Sequence, residues 1–524
     1  MSIIIIGAGL AGLSAAVTLA QNGVSSNLIS SMQSERAQSV MAEGGINACL
    51  NTMGEDDTVE NHFEDTISSG MYLADAEAVR GMCAAAPGIV ERLGSLGVPF
   101  SYNDKGIVQR SFGGQRKKRT AFVKSSTGKM LMTALIDETR KFEAQGLIKR
   151  YPNHCFIRLI TEDNKCCGAV VRNTYTIKTV SMSGSVILAS GGLNGLFDGM
   201  TTGTTQNTSD AAATVFSQGV ELANLEMIQY HPTTIAIQGK RLLISEAARG
   251  EGGRLFINRN GKPWYFMEEK YPELKNLMPR DVVSAEMVQV ADMPECDSQV
   301  YLDMTAIEKN VWNERISDLR EQCVHYLGID PANKPIPVSP GIHFFMGGIR
   351  VDREHRTSMN GLYAAGECAC QYHGANRLGG NSLLGAIYGG QIAAQTAMKE
   401  TADNTEEIID IAEEPAEVSC GFARTVSEIL YKALPILRKE EELIAAKEEL
   451  SLLKSRAGNR AELNRLNLAL AAVMSAIERR ESRGAHKRTD YPDRDDVSFK
   501  KQSVAKISGD KIDISFKEIK GRRD

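Results

Sequence analysis

The chain has 524 residues, with 60 lysines and arginines against 65 aspartates and glutamates, for a net charge of −5. That length is too great for one ordinary core and calls for roughly two to four domains. The near-balance of charge excludes nucleic acid or an anionic membrane as the main partner, because either needs a clustered basic surface.

The ten cysteines are scattered, without the paired CxxC spacing of zinc, iron–sulfur or haem sites, and suit a reducing cytosol without structural disulfides. The start "MSIIIIGAGLAG" lacks the basic head and longer apolar core of a signal peptide. No run of about 18 apolar residues occurs, so nothing is expected to span a bilayer. The expected location is the cytoplasm, with membrane association only through partners.

Residues 3–6, four isoleucines, read as a short buried strand. Gly7-Ala-Gly9-Leu-Ala-Gly12 follows, then "LSAAVTLAQNG" as a helix with a glycine stop, then "SSNLIS" as a second parallel strand. In that context GxGxxG predicts a dinucleotide-binding unit. Gly7 permits the tight turn, Gly9 the approach of a pyrophosphate, and Gly12 close helix–strand packing. The diphosphate would sit on the helix N-terminus, where unpaired N–H groups favour an anion. Ser30 and Ser31 stand where a nicotinamide-type unit carries an acid for the ribose, so the NAD signature is weakened while adenosine binding survives.

The densest basic run, "QRKKR" (115–119), reads as a solvated loop or partner contact. "VILASGG" (186–192) and "GLYAAGE" (361–367) are apolar strands ending in small residues, and Glu367 lies at a carboxyl end suited to a cofactor. Residues 230–340 mix short strands and helices with many charges, as an inserted domain would. Within this stretch "SEAARGEGG" (245–253) sets Glu246 and Arg249 three apart, the spacing of an ordinary surface-helix pair or of charges gathered for chemistry. Cys368 and Cys370 read as buried small side chains. From about 405 to 480 the chain turns helical and glycine-poor ("EEIIDIAEE", "LRKEEELIAAKEELSLLKSR"), as in a plain helical bundle. The polar, lysine-rich tail from 497 is expected to be ordered only against something else.

"GAGLAG", "EGGINA" (43–48), "QYHPT" (229–233), "SEAARGEGG", "PRD" (279–281), "HFFMGGI" (343–349), "GLYAAGEC", "HGANRLGGNSL" (373–383) and "ESRGAHKRTDYPDRDD" (481–496) occur in one order. The series resembles the flavoprotein subunits of fumarate reductase and succinate dehydrogenase, a family that includes L-aspartate oxidase, over nearly the whole chain to about residue 496. The resemblance implies an α/β fold with a Rossmann-like FAD-binding domain (1–229 and 341–404). It also implies an inserted α+β capping domain for substrate (230–340), a C-terminal helical domain (405–490) and a tail (491–524). It places flavin contacts at Gly7, Gly9, Gly12, Ser30, Ser39, Gly44, Gly45, Ser190, Gly191, Asp210, Glu367, Ser382 and Leu383. It places the substrate site at His231, Ser245, Glu246, Arg249, Arg280, His343 and Arg377, with Ser245 where the family usually has threonine.

Reducing a C=C bond between two carboxylates needs a hydride on one carbon and a proton on the other. Flavin N5 can deliver the hydride. Arg377, His343, His231 and Ser245 can hold the dianion, arginine being suited to a planar bidentate grip. The family pattern makes Arg280 the proton donor, resupplied through Arg249 and Glu246, with His231 among the catalytic residues. An arginine holds its proton tightly, with a reference pKa of ~12.5 or above. A carbanion-like centre is basic enough to take it.

"RAQSVMAEGG" (36–45) aligns with the family segment whose histidine is bonded to the flavin 8α-methyl, and here that position is Gln38. Glutamine cannot make the bond, so FAD is expected to be non-covalent, with a lowered potential that favours fumarate reduction. The same feature is shared with L-aspartate oxidase, which stays open as an alternative beside succinate dehydrogenase. "RSFGG" (110–114), "RTAFVKSSTG" (119–128), Met346 and "LGGNS" favour the reductase. A non-catalytic flavin-binding role is disfavoured because every substrate position is filled. Without a second redox motif, electrons are expected from outside, with an iron–sulfur partner subunit the expected donor and a thiol-linked partner or free reduced flavin left open; the expected substrate is a fumarate/succinate dicarboxylate.

Overall fold

The computed structural model describes residues 2–204, 206–401, 407–412 and 417–519. Ser2–Ile6 is buried along its whole length. A parallel strand covered on both faces has no polar side, hence the unbroken isoleucines. It is central in a five-stranded parallel sheet ordered Leu362–Ala364, Val186–Leu188, Ser2–Ile6, Ser25–Ser30 and Ile148–Pro152. The helix Leu10–Gln21 returns against the sheet at Gly12, where a Cβ would lie 1.8 Å from the Gly7 carbonyl oxygen. Gly7 has φ +113°, and a side chain there would meet the Ala189 oxygen at 2.1 Å. Three adjacent strand ends, on Ser2–Ile6, Val186–Leu188 and the edge strand Leu362–Ala364, thereby bring Gly7, Ser190-Gly191 and Glu367 to one carboxyl edge, the place where open α/β sheets bind ligands.

The second large element is a six-stranded antiparallel sheet ordered Lys240–Leu243, Ile228–Ile237, Ile336–Phe345, Cys296–Asp303, Arg254–Arg259 and Lys262–Trp264. Ile228–Ile237 and Ile336–Phe345 run across the expected borders at 229/230 and 340/341, so one continuous strand pair forms the neck of the cap. Irregularities in their register at Gln229/Tyr230 and between His231 and Thr234 break the regular alternation there. Such breaks re-aim side chains next to active sites. The helix Arg280–Ala291 packs on this sheet.

Cys420–Ala433, Glu440–Leu453 and Arg460–Glu478 form the expected helical bundle. Three sequence readings are corrected. Ile408–Ile411, expected to be helical, is a strand on the edge of the sheet carrying Thr179–Ser183, because its β-branched residues suit pairing better than a helix interior. Residues 402–406 and 413–416 on either side lie outside the described residues.

The tail needs no outside body. Gln502–Ser508 and Lys511–Lys517 form a hairpin, and the first of these strands pairs with Leu222–Ala223. Val504, Ile507 and Ile512 are buried while Lys506 and Lys511 face outward. Finally, "QRKKR" is a solvated loop only in its middle, where Arg116 and Lys118 are exposed. Arg119 is fully buried and paired with Asp57 and Asp65, each at 2.9 Å, and Gln115 is buried with it. Among the described residues no helix is long and apolar enough to cross a membrane.

Candidate active site

A cavity of about 500 Å³ runs from the carboxyl edge of the parallel sheet to the neck of the cap. Every expected flavin contact lines it except Gly12, whose part is the helix–strand approach already described. The cavity suits an elongated dinucleotide. At Gly9 the nearest atom to a built Cβ is Ser39 Oγ at 3.4 Å. The N-cap residues of the helix Leu10–Gln21 and of Asn381–Glu400, whose first turn carries Ser382 and Leu383, give no side-chain cap, although the Leu10 N–H donates to Ser39 Oγ at 3.3 Å. Uncapped helix starts offer N–H groups to phosphate or to an electron-rich ring edge.

Glu367 accepts a hydrogen bond from the Phe345 N–H at 3.1 Å, and burial raises its carboxyl to about 7. Asp210 accepts from Arg465 at 3.1 Å, and Ser30 donates to the Met32 carbonyl at 2.6 Å. Gln38 accepts from the Thr204 N–H at 2.6 Å. Its amide thus braces the loop on the far side of the cavity.

His231, Ser245, Glu246, Arg280, His343 and Arg377 all line the inner end, and Arg249 lies behind Glu246. The helix carrying Arg249 is a single turn, Ala247–Gly250, and both charges are 2% exposed. The pair is therefore buried and is no surface-helix pair. Glu246 Oε2 accepts from Arg280 Nε at 2.8 Å and Nη2 at 2.5 Å, while Oε1 accepts from the Gly113 N–H at 2.9 Å and pairs with Arg249 Nη2 at 3.2 Å. Burial pushes this carboxyl up, but Arg280 and Arg249 overcome it and hold it at about 2. Arg249 Nη1 donates to the Asn276 carbonyl at 2.6 Å. Burial also lowers the proton affinity of Arg249 and Arg377, and the nearby Arg280 charge adds to the effect.

His231 and His343 stand edge to face with centroids 5.1 Å apart. Thr233 engages Nδ1 of His231, and the Thr202 hydroxyl lies 2.7 Å from Nδ1 of His343, so each ring keeps Nε2 for a ligand. Both are held neutral by burial first and then by Arg280. The Arg377 guanidinium lies over the Phe344 ring at 4.3 Å.

Sequence reasoning missed the residues that shape this cage. A Cβ at Gly113 would lie 2.6 Å from Glu246 Oε1, and one at Gly379 would lie 3.0 Å from Oε2. Gln229 accepts from Arg280 Nη1 at 3.1 Å and donates to the Arg377 carbonyl at 2.8 Å, joining the two cavity arginines. All three lie inside motifs quoted above, yet no local spacing marks them.

Six of the eight histidines (62, 231, 343, 355, 373 and 486) are held neutral chiefly by burial, His62 and His373 at about 3 and His355 at about 4. Their folded values lie below the ordinary ~6.5, so the unfolded chain takes up protons first as pH falls. The stability they contribute is complete above about pH 6.5 and is lost below it, at up to ~1.4 kcal/mol per pH unit per histidine. The urea midpoint is expected to drop sharply between about pH 7.5 and about pH 5.5. An unchanged midpoint would contradict buried neutral imidazoles.

The chain is similar to known proteins over most of its length. A family model described as FAD binding domain matches residues 2–383, and one described as fumarate reductase flavoprotein C-term matches residues 459–523, past the end of the motif series. The succinate dehydrogenase flavoprotein subunit of Bacillus subtilis is 36% identical over 549 positions, covering 96% of this chain and 94% of that protein. The L-aspartate oxidase of Streptomyces coelicolor is 31% identical over 546 positions, covering 97% and 92%. A solved structure of a variant of Escherichia coli quinol fumarate reductase superposes with a TM-score of 0.88 at 28% identity, covering 100% of this chain and 97% of that one.

Proposed function

The chain belongs to the family of fumarate reductase and succinate dehydrogenase flavoproteins, FAD-dependent oxidoreductases of the succinate/fumarate CH–CH pair, and from that premise we propose that it is the flavoprotein subunit of a fumarate reductase with Arg280 as proton donor. The observation that carries this reading is the buried Glu246 carboxylate, clasped by Arg280 on the cavity side and Arg249 behind. FAD, when bound along the glycine-lined cavity, supplies two-electron chemistry at N5. Arg377 grips one substrate carboxylate, while His343, His231 and the Ser245 hydroxyl offer neutral hydrogen bonds to the dianion. Neutral imidazoles suit a site already crowded with guanidinium charge. Arg280 gives its proton to the carbon that becomes basic, and Glu246 passes a replacement from Arg249. A carboxylate held at about 2 stores no proton at working pH, so it transmits rather than competes.

Two relatives favour neighbouring readings, succinate oxidation for the Bacillus protein and aspartate oxidation for the Streptomyces protein. An anaerobic assay with fumarate and reduced viologen, run beside an aerobic assay of L-aspartate with peroxide detection, separates the reductase from the aspartate oxidase reading. Faster turnover of aspartate would overturn the reductase reading. Electrons are expected from an iron–sulfur partner, in keeping with relatives named as subunits.

Gln38 carries a further expectation, that the FAD is held without a covalent bond. Acid precipitation of the holoprotein should leave the yellow colour in the supernatant. Colour retained by the washed pellet would sink this.

A further inference from the structure

Two charged residues in the motifs that drew attention have no part in the chemistry so far: Asp281 of "PRD" and Lys487 of "ESRGAHKRTDYPDRDD". The fold brings them together across about two hundred residues of chain, with Lys487 Nζ 3.6 Å from Asp281 Oδ2. Asp281 is the residue after Arg280 in the first turn of Arg280–Ala291, its side chain is 1% exposed, and among the described residues neither oxygen accepts a hydrogen bond, so the Lys487 ammonium faces it as an ion pair. The ammonium end comes from a rigid platform. Lys487 sits in the short strand Lys487–Arg488, paired with Leu437–Arg438, between two buried neighbours. His486 contacts Arg438 at 2.6 Å and the Arg479 carbonyl at 3.0 Å, and Arg488 is held by Asp490 and the Ala476 carbonyl.

We propose that Lys487 is a positioning residue for the reaction: through Asp281 it pins the start of the cap helix to the C-terminal segment and so sets where the Arg280 guanidinium points. The proposal rests on the reading of Arg280 as proton donor. The other fixings of this helix start, Arg280 to Glu246 and Gln229 and Ser284 to the Tyr230 carbonyl, lie toward the cavity and neck. Lys487 is the anchor from the helical side. A buried carboxylate stripped of its cation repositions or draws in water, and Arg280 is its chain neighbour. A shift of about 1 Å at a reacting group costs up to about a hundredfold in rate.

The test uses flavin-loaded full-length chain, fumarate and reduced viologen. Lys487→Met should lower kcat about tenfold to a hundredfold with KM within about threefold, and should raise the solvent deuterium isotope effect on kcat, because proton donation becomes slower. Lys487→Arg, which restores a cation, should recover most of the rate. A purely structural role would reduce stability or flavin content without moving the isotope effect. Wild-type kcat and isotope effect in Lys487→Met overturn the proposal even where Arg280→Lys is inactive, whereas full activity in Arg280→Lys overturns the donor reading instead. If Lys487→Met does not yield flavin-loaded protein, Lys487→Gln against Lys487→Arg decides by the same two readouts.

Discussion

Arg280→Lys is expected to lose about 10²- to 10⁴-fold in kcat, the span a positioned general acid contributes, while FAD stays bound. The guanidinium uses three nitrogens at once: Nε and Nη2 on Glu246, and Nη1 on Gln229. An ammonium is a point donor on a shorter reach and cannot face Glu246, Gln229 and substrate together. The flavin site should be indifferent to the change, because its glycine-lined walls come from other strands. Visible flavin absorbance and the fold should therefore persist while turnover with reduced viologen collapses. Wild-type kcat in this variant would remove Arg280 from the donor role.

Glu246→Gln should lower kcat by about a hundredfold with a much smaller change in KM, the pattern of an interaction needed in the transition state rather than for binding. It should also be felt in the fold. Removing the carboxylate leaves two buried guanidiniums without their counter-charge, a loss of about 3–5 kcal/mol for a broken buried pair. The sign of the pH dependence follows from the same geometry. The Glu246 carboxyl sits at about 2, below the ordinary ~4.3 of glutamate. Its contribution to stability is thus complete above about pH 4.3 and fades as pH falls toward 2. Wild type should gain more over Glu246→Gln at neutral pH than near pH 2. Equal kcat in the two proteins would exclude a relay through Glu246.

Much of this site was legible in one dimension because its signals are local. The glycine turn could be read with its flanking strands and helix because each of those depends on hydrogen bonds or packing within a few residues. The expectation for Gln38 rests on the resemblance of "RAQSVMAEGG" to the family's flavin-bonding segment. The pair Glu246–Arg249 was visible as a spacing, although spacing alone does not separate a surface pair from an interior one. Burial decided that, and burial is a property of what folds over the turn.

The misread segments failed for a related reason. Ile408–Ile411 lies in glutamate-rich sequence that favours a helix, and pairing with Thr179–Ser183 overrides the preference. The lysine-rich tail looked unsupported because the strand that receives it, Leu222–Ala223, is only two residues long and far away in sequence.

The sequence by itself therefore determined the kind of molecule: a glycine-turn flavin fold and the residue types available for its chemistry. Only the tertiary structure decided how those groups are held. Gly113 and Gly379 close around Glu246 from 133 residues on either side, Gln229 ties Arg280 to the Arg377 backbone, and Lys487 reaches Asp281. Local periodicity records hydrogen bonds made within a turn or a strand. It carries no record of contacts set by strand order and by the docking of one domain on another, and it is those contacts that bury the charges of this site and aim them.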